Sequence, residues 1–227
     1  MVVTKYLNKE TAREYALRQI TDNIINLELA PGSSVSGKEL ALELGISRTP
    51  VSEALQEISR SHLVNIYPQR GCIISKIDFD TIDEAVFLRR VLEKAVAEEL
   101  CDTIKEAELS ELEKNIELQE FYLSKNDIKK MFELDNEFHH SLFKMSHKEQ
   151  IYNLMESMQG HFDRIRALSL NSVKDTRIIM DHRAIVNALR TKDKVLTGEF
   201  VMKHLSRYKL DAEDIVRKYP EYFTTGK

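Results

Sequence analysis

The stretch FELDNEFHHSLF, residues 132–143, reads as helix with no turn-formers in it, and two of its residues can do chemistry: Asp135 and His139. Four positions apart on a helix, a carboxylate and an imidazole stack on one face. Such a pair makes an i,i+4 hydrogen bond on a wet surface, or it supplies half of a metal site. His140 is turned about 140° away from Asp135 and cannot join them.

The other histidines decide how far the second reading goes. Seven occur in the chain, at 62, 139, 140, 147, 161, 182 and 204. His182 lies on the apolar side of HRAIVNALR, with Ile185, Val186 and Leu189 as neighbours on the stripe. His204 stands beside Leu205 and four residues after Phe200. Imidazoles on apolar stripes are costly unless each ring nitrogen finds a partner. One carboxylate and three imidazoles from three helices are ligands that suit Zn²⁺, Ni²⁺, Mn²⁺ or Fe²⁺. Spacing alone leaves separately hydrogen-bonded histidines as the alternative.

The elements that must position these residues are helical. The 227 residues are 42% apolar and 31% charged, with only 7 Gly and 4 Pro, a composition that favours a mostly α protein. No apolar run approaches the ~18 residues that span a bilayer. The first residues, MVVTKYLNKETAREY, lack the apolar segment of a signal peptide. Cys72 and Cys101 have neither metal-type nor redox-type spacing, so two reduced thiols in a cytoplasmic protein are expected. The net charge of −4 argues at first against nucleic acid. However, residues 1–76 hold 9 basic and 8 acidic side chains and the remainder 24 and 29, so the acidic excess is confined to the C-terminal part.

The N-terminal part alternates helix and turn. Ala12, Tyr15, Ala16, Ile20 and Ile24 repeat at helical spacing, and Pro31-Gly32 stops the pattern. GKELALELG ends on Gly45 as a C-cap. SRTPVSEALQEISRSH follows, with Ser47 or Thr49 as its cap and Pro50 in its first turn. LVNIYPQRGCIISKI then reads as a short β-hairpin. Helix, helix, turn, helix, hairpin is the order of a winged helix-turn-helix. Arg48 opens the third helix, whose N-terminal N–H groups favour phosphate and whose first side chains can reach base edges. Arg70 stands beside Gly71 at the hairpin tip, where a cation can meet phosphate or the minor groove. A small helical domain with solvated charges is the plainer alternative.

From Phe79 the strand signals vanish. Helices are expected over about 79–104, 105–124, 127–146, 148–169, 174–190 and 192–217, joined by short loops as in a bundle. The expected domains are residues 1–76 for DNA binding and 77–227 for effector binding and dimerisation.

The segment LAPGSSVSGKELALELGISRTPVSEALQEISRSHLVNIYPQRGCIIS resembles the winged helix-turn-helix of GntR-family bacterial transcription regulators, most specifically in GISRTPVSEAL. The remainder resembles the FCD ligand-sensing domain of the FadR type, through RRVLE (Arg89 to Glu93), DNEFH, HRAIVNALRTKD and MKHL. A six-helix sensor is more similar to the VanR-like subgroup. The resemblance implies that Lys38, Ser47, Arg48, Thr49, Arg70 and Gly71 face operator DNA. Ser52 stands where the family usually has Arg, so a bidentate guanine reader is replaced by a hydroxyl, worth about 1–3 kcal/mol of base discrimination. The resemblance also implies that Asp135, His139, His182 and His204 hold one divalent transition metal.

Four protein ligands leave room for a small carboxylate on a five- or six-coordinate ion, and Arg89 can hold its other end. An intrahelical ion pair with Glu93 is the alternative use of Arg89, and Arg90 the alternative residue. The expected protein is a homodimeric repressor that reads a palindromic operator and answers to a small organic acid, with no membrane partner. A helical-bundle metalloenzyme with an accessory winged helix, or a regulator with a purely structural metal, are the competing readings. No nucleophile motif or phosphate-binding glycine loop supports an enzyme.

Overall fold

The computed structural model describes residues 1–68, 71–172 and 176–224. The chain forms two compact units: one of residues 1–79, 160–165 and those from Asp214 on, the other of residues 80–159 and 166–213.

In the first unit, α1 (Ala12–Ile25) begins where Thr11 and Glu14 cap each other. The Glu14 N–H donates to Thr11 Oγ1 at 3.2 Å, and the Thr11 N–H donates to the Glu14 carboxylate at 2.8 Å. After the Pro31-Gly32 turn comes β1 (Ser34–Val35), then α2 (Gly37–Leu44). Ser36 caps the start of α2, and Gly45 ends it in the left-handed region at φ 67°. α3 (Arg48–Arg60) follows after three residues, with Pro50 in its first turn, where no helical N–H is lost. β2 (Val64–Tyr67) and β3 (Gly71–Ile74) pair antiparallel from Val64↔Ile74 to Tyr67↔Gly71. β1 lies on the other side of β3, giving the order β1-β3-β2. The two-residue β1 is too short to carry an alternating pattern, and only its pairing with β3 shows it. Ile20, Ile24, Val51, Ala54, Val64 and Ile74 lie at the centre of this unit's core.

The same unit receives the first turn of a later helix. Arg164, fully buried, donates from Nη1 to the Ser75 carbonyl at 2.6 Å. His161 Nε2 faces the His62 carbonyl at 3.1 Å, and its Nδ1 accepts from the Asp78 N–H at 3.1 Å. That arrangement fixes the proton on Nε2. Burial, followed by the Arg164 charge, pushes the His161 pKa down to about 4, so the ring is neutral. Gly160 is required by close approach: a Cβ there would stand 2.6 Å from Leu63 Cδ1.

The second unit is helical. It takes α4 (Phe79–Thr103) from Asp80 on, α5 (Glu106–Ser124), α6 (Ile128–Met145), α7 (Glu149–Glu156), most of α8 (Gly160–Ser172), α9 (Arg177–Arg190), α10 (Lys194–Leu205) and the first part of α11 (Tyr208–Lys218). α5 packs on α6 and α9, and α10 packs on α9. Among the described residues eight helices follow the wing, where the sequence reading expects six. The helix expected over 148–169 breaks between Glu156 and Gly160, where Ser157 turns its hydroxyl back onto the Leu154 carbonyl. The helix expected over 192–217 breaks at Ser206-Arg207, where the Arg207 guanidinium engages Asp181 of α9. Neither break carries Pro: the first has a local hydroxyl bond just ahead of the close approach of Gly160 to Leu63, and the second meets Arg207 on Asp181; periodicity reports neither of these long-range contacts.

Candidate metal centre and nucleic-acid interface

α6 presents Asp135 and His139 on its buried face, with Phe138 and Leu142 beside them. The face is amphipathic by spacing: Met131, Leu134, Phe138 and Leu142 recur every three to four residues and draw the two polar side chains into the core. His182 is carried in the same way by Ile179, Ile185, Val186 and Leu189 of α9, and His204 by Val201 and Leu205 of α10.

These four side chains come together. One ligand atom from each of Asp135, His139, His182 and His204 lies within 4.8 Å of the others, and all four residues are buried. His204 Nε2 is 3.1 Å from His139 Nε2 and 3.3 Å from His182 Nε2. Asp135 Oδ1 is 3.6 Å from His182 Nε2. His140, as its rotation predicts, stays out and stacks on Tyr152 instead.

One outer nitrogen fixes its tautomer. His182 Nδ1 faces Gln119 Oε1 at 2.9 Å. The Gln119 amide is itself oriented, because its Nε2 donates to Asn115 Oδ1 at 2.6 Å. Gln119 therefore accepts from His182 Nδ1 and leaves the His182 Nε2 lone pair inside. Carboxylates stand behind the other two rings: Glu93 Oε2 lies 2.6 Å from His139 Nδ1, and Asp181 Oδ2 3.8 Å from His204 Nδ1. Burial lowers the pKa of all three rings, to about 4 for His204, so none carries the extra proton that could bridge the nitrogens. Converging lone pairs beside a carboxylate repel one another unless a cation lies among them. The donor set thus fits a divalent transition metal.

The sequence left two uses for Arg89. Its side chain is 2% exposed, and its Nε donates to Glu93 Oε1 at 2.5 Å. Burial raises the Glu93 pKa, but the Arg89 guanidinium, with the His139 ring beside it, outweighs burial and holds the carboxyl well below its usual range. Arg89 and Glu93 thereby form an ion pair behind the imidazole cluster, with the His139 ring against the second Glu93 oxygen. Arg90 is half-buried on the outer side of α4.

Several residues around the cluster carry no motif. Gln119, Asp181, Asn136 and Arg166 are among them. Arg166 donates to Asp135 Oδ2 from Nη2 and to Asn136 Oδ1 from Nη1, the latter at 2.9 Å. The only hint in the sequence is position: Asp181 precedes a ligand, Asn136 follows one, and Gln119 shares its helix stripe with Leu112, Ile116 and Leu123.

At the other end of the chain, Lys38, Ser47, Arg48, Thr49, Ser52 and Gly71 are all exposed. Arg48 is the first residue of α3, and Ser47 occupies the N-cap position without a side-chain cap bond. The first N–H groups of α3 are therefore left to an outside acceptor, which suits a phosphate. Gly71 holds φ 94°, a value that side chains other than Gly's rarely adopt. Arg70 lies outside the described residues. Gln56, exposed one turn beyond Ser52, joins the same face of α3, and the motif does not single it out. Among the described residues no helix is long and apolar enough to cross a membrane.

Comparison with known proteins matches both parts of the chain to known domains. Residues 84–207 match the FCD domain, and residues 13–74 match the bacterial regulatory proteins of the gntR family. The chain is 32% identical over 219 residues to an HTH-type transcriptional regulator in the unstable DNA locus of Streptomyces ambofaciens, covering 96% of this chain and 92% of that one. It is 26% identical over 226 residues to the HTH-type transcriptional repressor RspR of Escherichia coli, covering 99% of each. In fold it is similar to Escherichia coli McbR/YncC, with a TM-score of 0.78 and 17% identity over 92% of this chain and 99% of the other. With a winged helix-turn-helix ahead of an all-α FCD domain, the chain belongs to the GntR family of bacterial regulatory proteins: it is a DNA-binding transcriptional regulator and not an enzyme.

Proposed function

We propose that this regulator is a cytoplasmic, homodimeric repressor whose grip on a palindromic operator is set by a small carboxylate bound at a metal in its C-terminal part. The division of labour falls at residues 1–76 and 77–227. The observation that carries the reading is the convergence of three buried Nε2 atoms and the Asp135 carboxylate, with Gln119 holding His182 from behind and Glu93 standing behind His139. Asp135, His139, His182 and His204 hold one Zn²⁺, Ni²⁺, Mn²⁺ or Fe²⁺, which supplies a Lewis-acidic position for a carboxylate oxygen. Arg89, paired with Glu93 behind His139, is the residue proposed to hold the far end of that carboxylate. Lys38, Ser47, Arg48, Thr49, Ser52, Arg70 and Gly71 form the DNA face. The description of RspR as a repressor supports that sign of regulation.

Only a ligand with different affinity for the DNA-binding and DNA-released states can switch such a protein. The test uses zinc-loaded protein and an operator selected by it from a random DNA pool. A carboxylate that binds the protein should weaken operator binding by about tenfold, a coupling of ordinary size. Arg89→Ala should bind operator and lose the response. A bound carboxylate that leaves operator affinity unchanged rules the reading out.

The dimer is expected through the outer face of α4. Phe87 is 70% exposed and Val91 51% exposed, one turn apart, with Ala95 continuing the stripe. Asp83, Lys94 and Glu98 flank it with both signs of charge, as a two-fold contact requires. Phe87→Asp should turn a dimer into monomers in light scattering; a dimer of unchanged affinity would place the interface elsewhere.

A further inference from the structure

Residues 75–78 join the wing to α4, and they are not built like a linker. A connection between two compact units ordinarily runs over the surface with few contacts. Here Ser75 and Ile77 are buried, Ile77 completely. Two remote segments of the first unit hold their backbone. From the start of α8, Arg164 Nη1 donates to the Ser75 carbonyl, and His161 Nδ1 accepts from the Asp78 N–H. From the C-terminal side, the Ile77 N–H donates to the Tyr222 carbonyl at 2.8 Å, and the Thr224 N–H donates to the Ile77 carbonyl at 2.9 Å. Ile77 and Phe223 thus pair as one parallel β-bridge.

The sequence arranges this second hold. Pro220 cannot continue a helix, so α11 ends at Lys218 and the chain makes one 3-10 turn over Pro220–Tyr222. Phe223 follows in an extended conformation, at φ −104° and ψ 152°. Its ring, 3% exposed, stacks on Phe79 at 5.4 Å between centroids and 11° between planes. Phe79 is the first residue of α4. Thr224 Oγ1 adds a bond of 3.0 Å to Asp78 Oδ1. Ring stacking and hydrogen bonds together strap the connection into one conformation.

A free segment as long as residues 75–78 reaches about 13 Å and samples many directions. In a two-headed protein that freedom has a consequence. Once one head is on its half-site, the second binds at an effective concentration set by its tether. A loose tether lowers that concentration at the right spacing and raises it at wrong ones. Resting on the reading of a dimer on a palindrome, we infer that the strap of Tyr222, Phe223 and Thr224 on residues 75–79 sets the half-site spacing that the operator must have. Phe223 and Thr224 are positioning residues, acting through the connection and not on the bases.

The experiment measures binding of the full chain to its selected operator, to the same operator with one or two base pairs inserted between the half-sites, and to a single half-site. Each inserted pair moves one half-site by about 3.4 Å and turns it by about 35°. The wild type should lose about tenfold or more for each insertion. Thr224→Pro removes the Thr224 N–H and hydroxyl together and suits the extended Phe223 before it. That variant should remain a dimer in light scattering, bind the single half-site within about twofold of the wild type, and lose less than about threefold on either insertion. Phe223→Ala should flatten the spacing dependence in the same way. Where it does not fold, Phe223→Leu takes its place, keeping the apolar bulk and losing the stack. A wild type indifferent to spacing overturns the inference, as do folded, dimeric variants that keep the wild-type spacing profile. Loss of single half-site binding in Thr224→Pro overturns it too, because the strap would then belong to the head's own fold. A wild type that is monomeric, or that selects an operator without a two-fold repeat, sinks the dimer reading and this one together. A dimer that reads a palindrome at any spacing sinks this one alone.

Discussion

Arg48→Ala should cost the dimer about 100-fold in affinity for its selected operator while changing binding to random DNA by less than about threefold. Arg48 is exposed at the first position of α3, ahead of N–H groups that no side chain caps. That position brings a guanidinium to base edges while the backbone behind it holds phosphate. One bidentate base contact discriminates by about 1–3 kcal/mol, and a two-fold dimer makes it twice. The fold should not notice the change, because Arg48 lies outside the core formed by Val51, Ala54, Leu55 and Ile58. Circular dichroism and the melting temperature should therefore match the wild type. Parallel losses on operator and on random DNA would make Arg48 a phosphate contact and leave base reading to Ser52 and Gln56. Lys38→Ala makes the useful contrast: losing a phosphate contact weakens binding to all sequences alike and lowers the salt dependence by about one ion per protomer.

His182→Ala should leave the chain without its metal and make its melting temperature blind to chelator. His182 is fully buried, stacked on Phe138 at 4.1 Å between ring centroids, with Gln119 fixing its tautomer. An ion that binds only the folded chain stabilises it by about 2.7 kcal/mol when its free concentration is 100 times the dissociation constant. For a chain of this size that corresponds to about 5–10 °C. The wild type should lose that increment in a chelator and regain it with zinc. The variant should melt at one temperature in both conditions, below the apo wild type, because removing the ring also leaves a cavity. The comparison across chelator separates the lost ion from the lost packing. A His182→Ala protein that keeps one zinc per chain would mean that the cluster is a hydrogen-bonded histidine core.

The two arms of the site differ in how they depend on surrounding packing. The DNA face is built on local structure: a capped helix, a glycine turn, a second helix and a hairpin, all contiguous between residues 34 and 74. The candidate metal centre gathers side chains from positions 135 to 204 on three helices, and the groups behind its rings come from α4, α5 and α9. Substitutions behind the rings, at Gln119 or Glu93, should act on a bound ion through imidazole orientation.

How much of this was legible in the sequence follows from that difference. The winged helix could be read because each of its signals is local: Pro31-Gly32 and Gly45 stop helices, Ser47 opens one, and Ile, Val and Tyr around Pro68 to Gly71 mark the hairpin; the caps at Thr11 and Ser36 came only with the structure. Asp135 and His139 could be paired because four residues of helix fix their geometry whatever else the chain does. His182 and His204 could be suspected, since an imidazole on an apolar stripe needs a partner, but periodicity does not say which helices meet. Only packing decided that the three Nε2 atoms converge, that Arg89 pairs with a buried Glu93, and that Arg166 stands on the outer oxygen of Asp135. Packing also broke two expected helices, one where Gly160 must lie against Leu63 and one where Arg207 reaches Asp181. A sequence determines local conformation through nearest neighbours along the chain. Contacts between residues far apart in it, which here form the whole charge balance of the buried site, exist only once the helices have closed on one another.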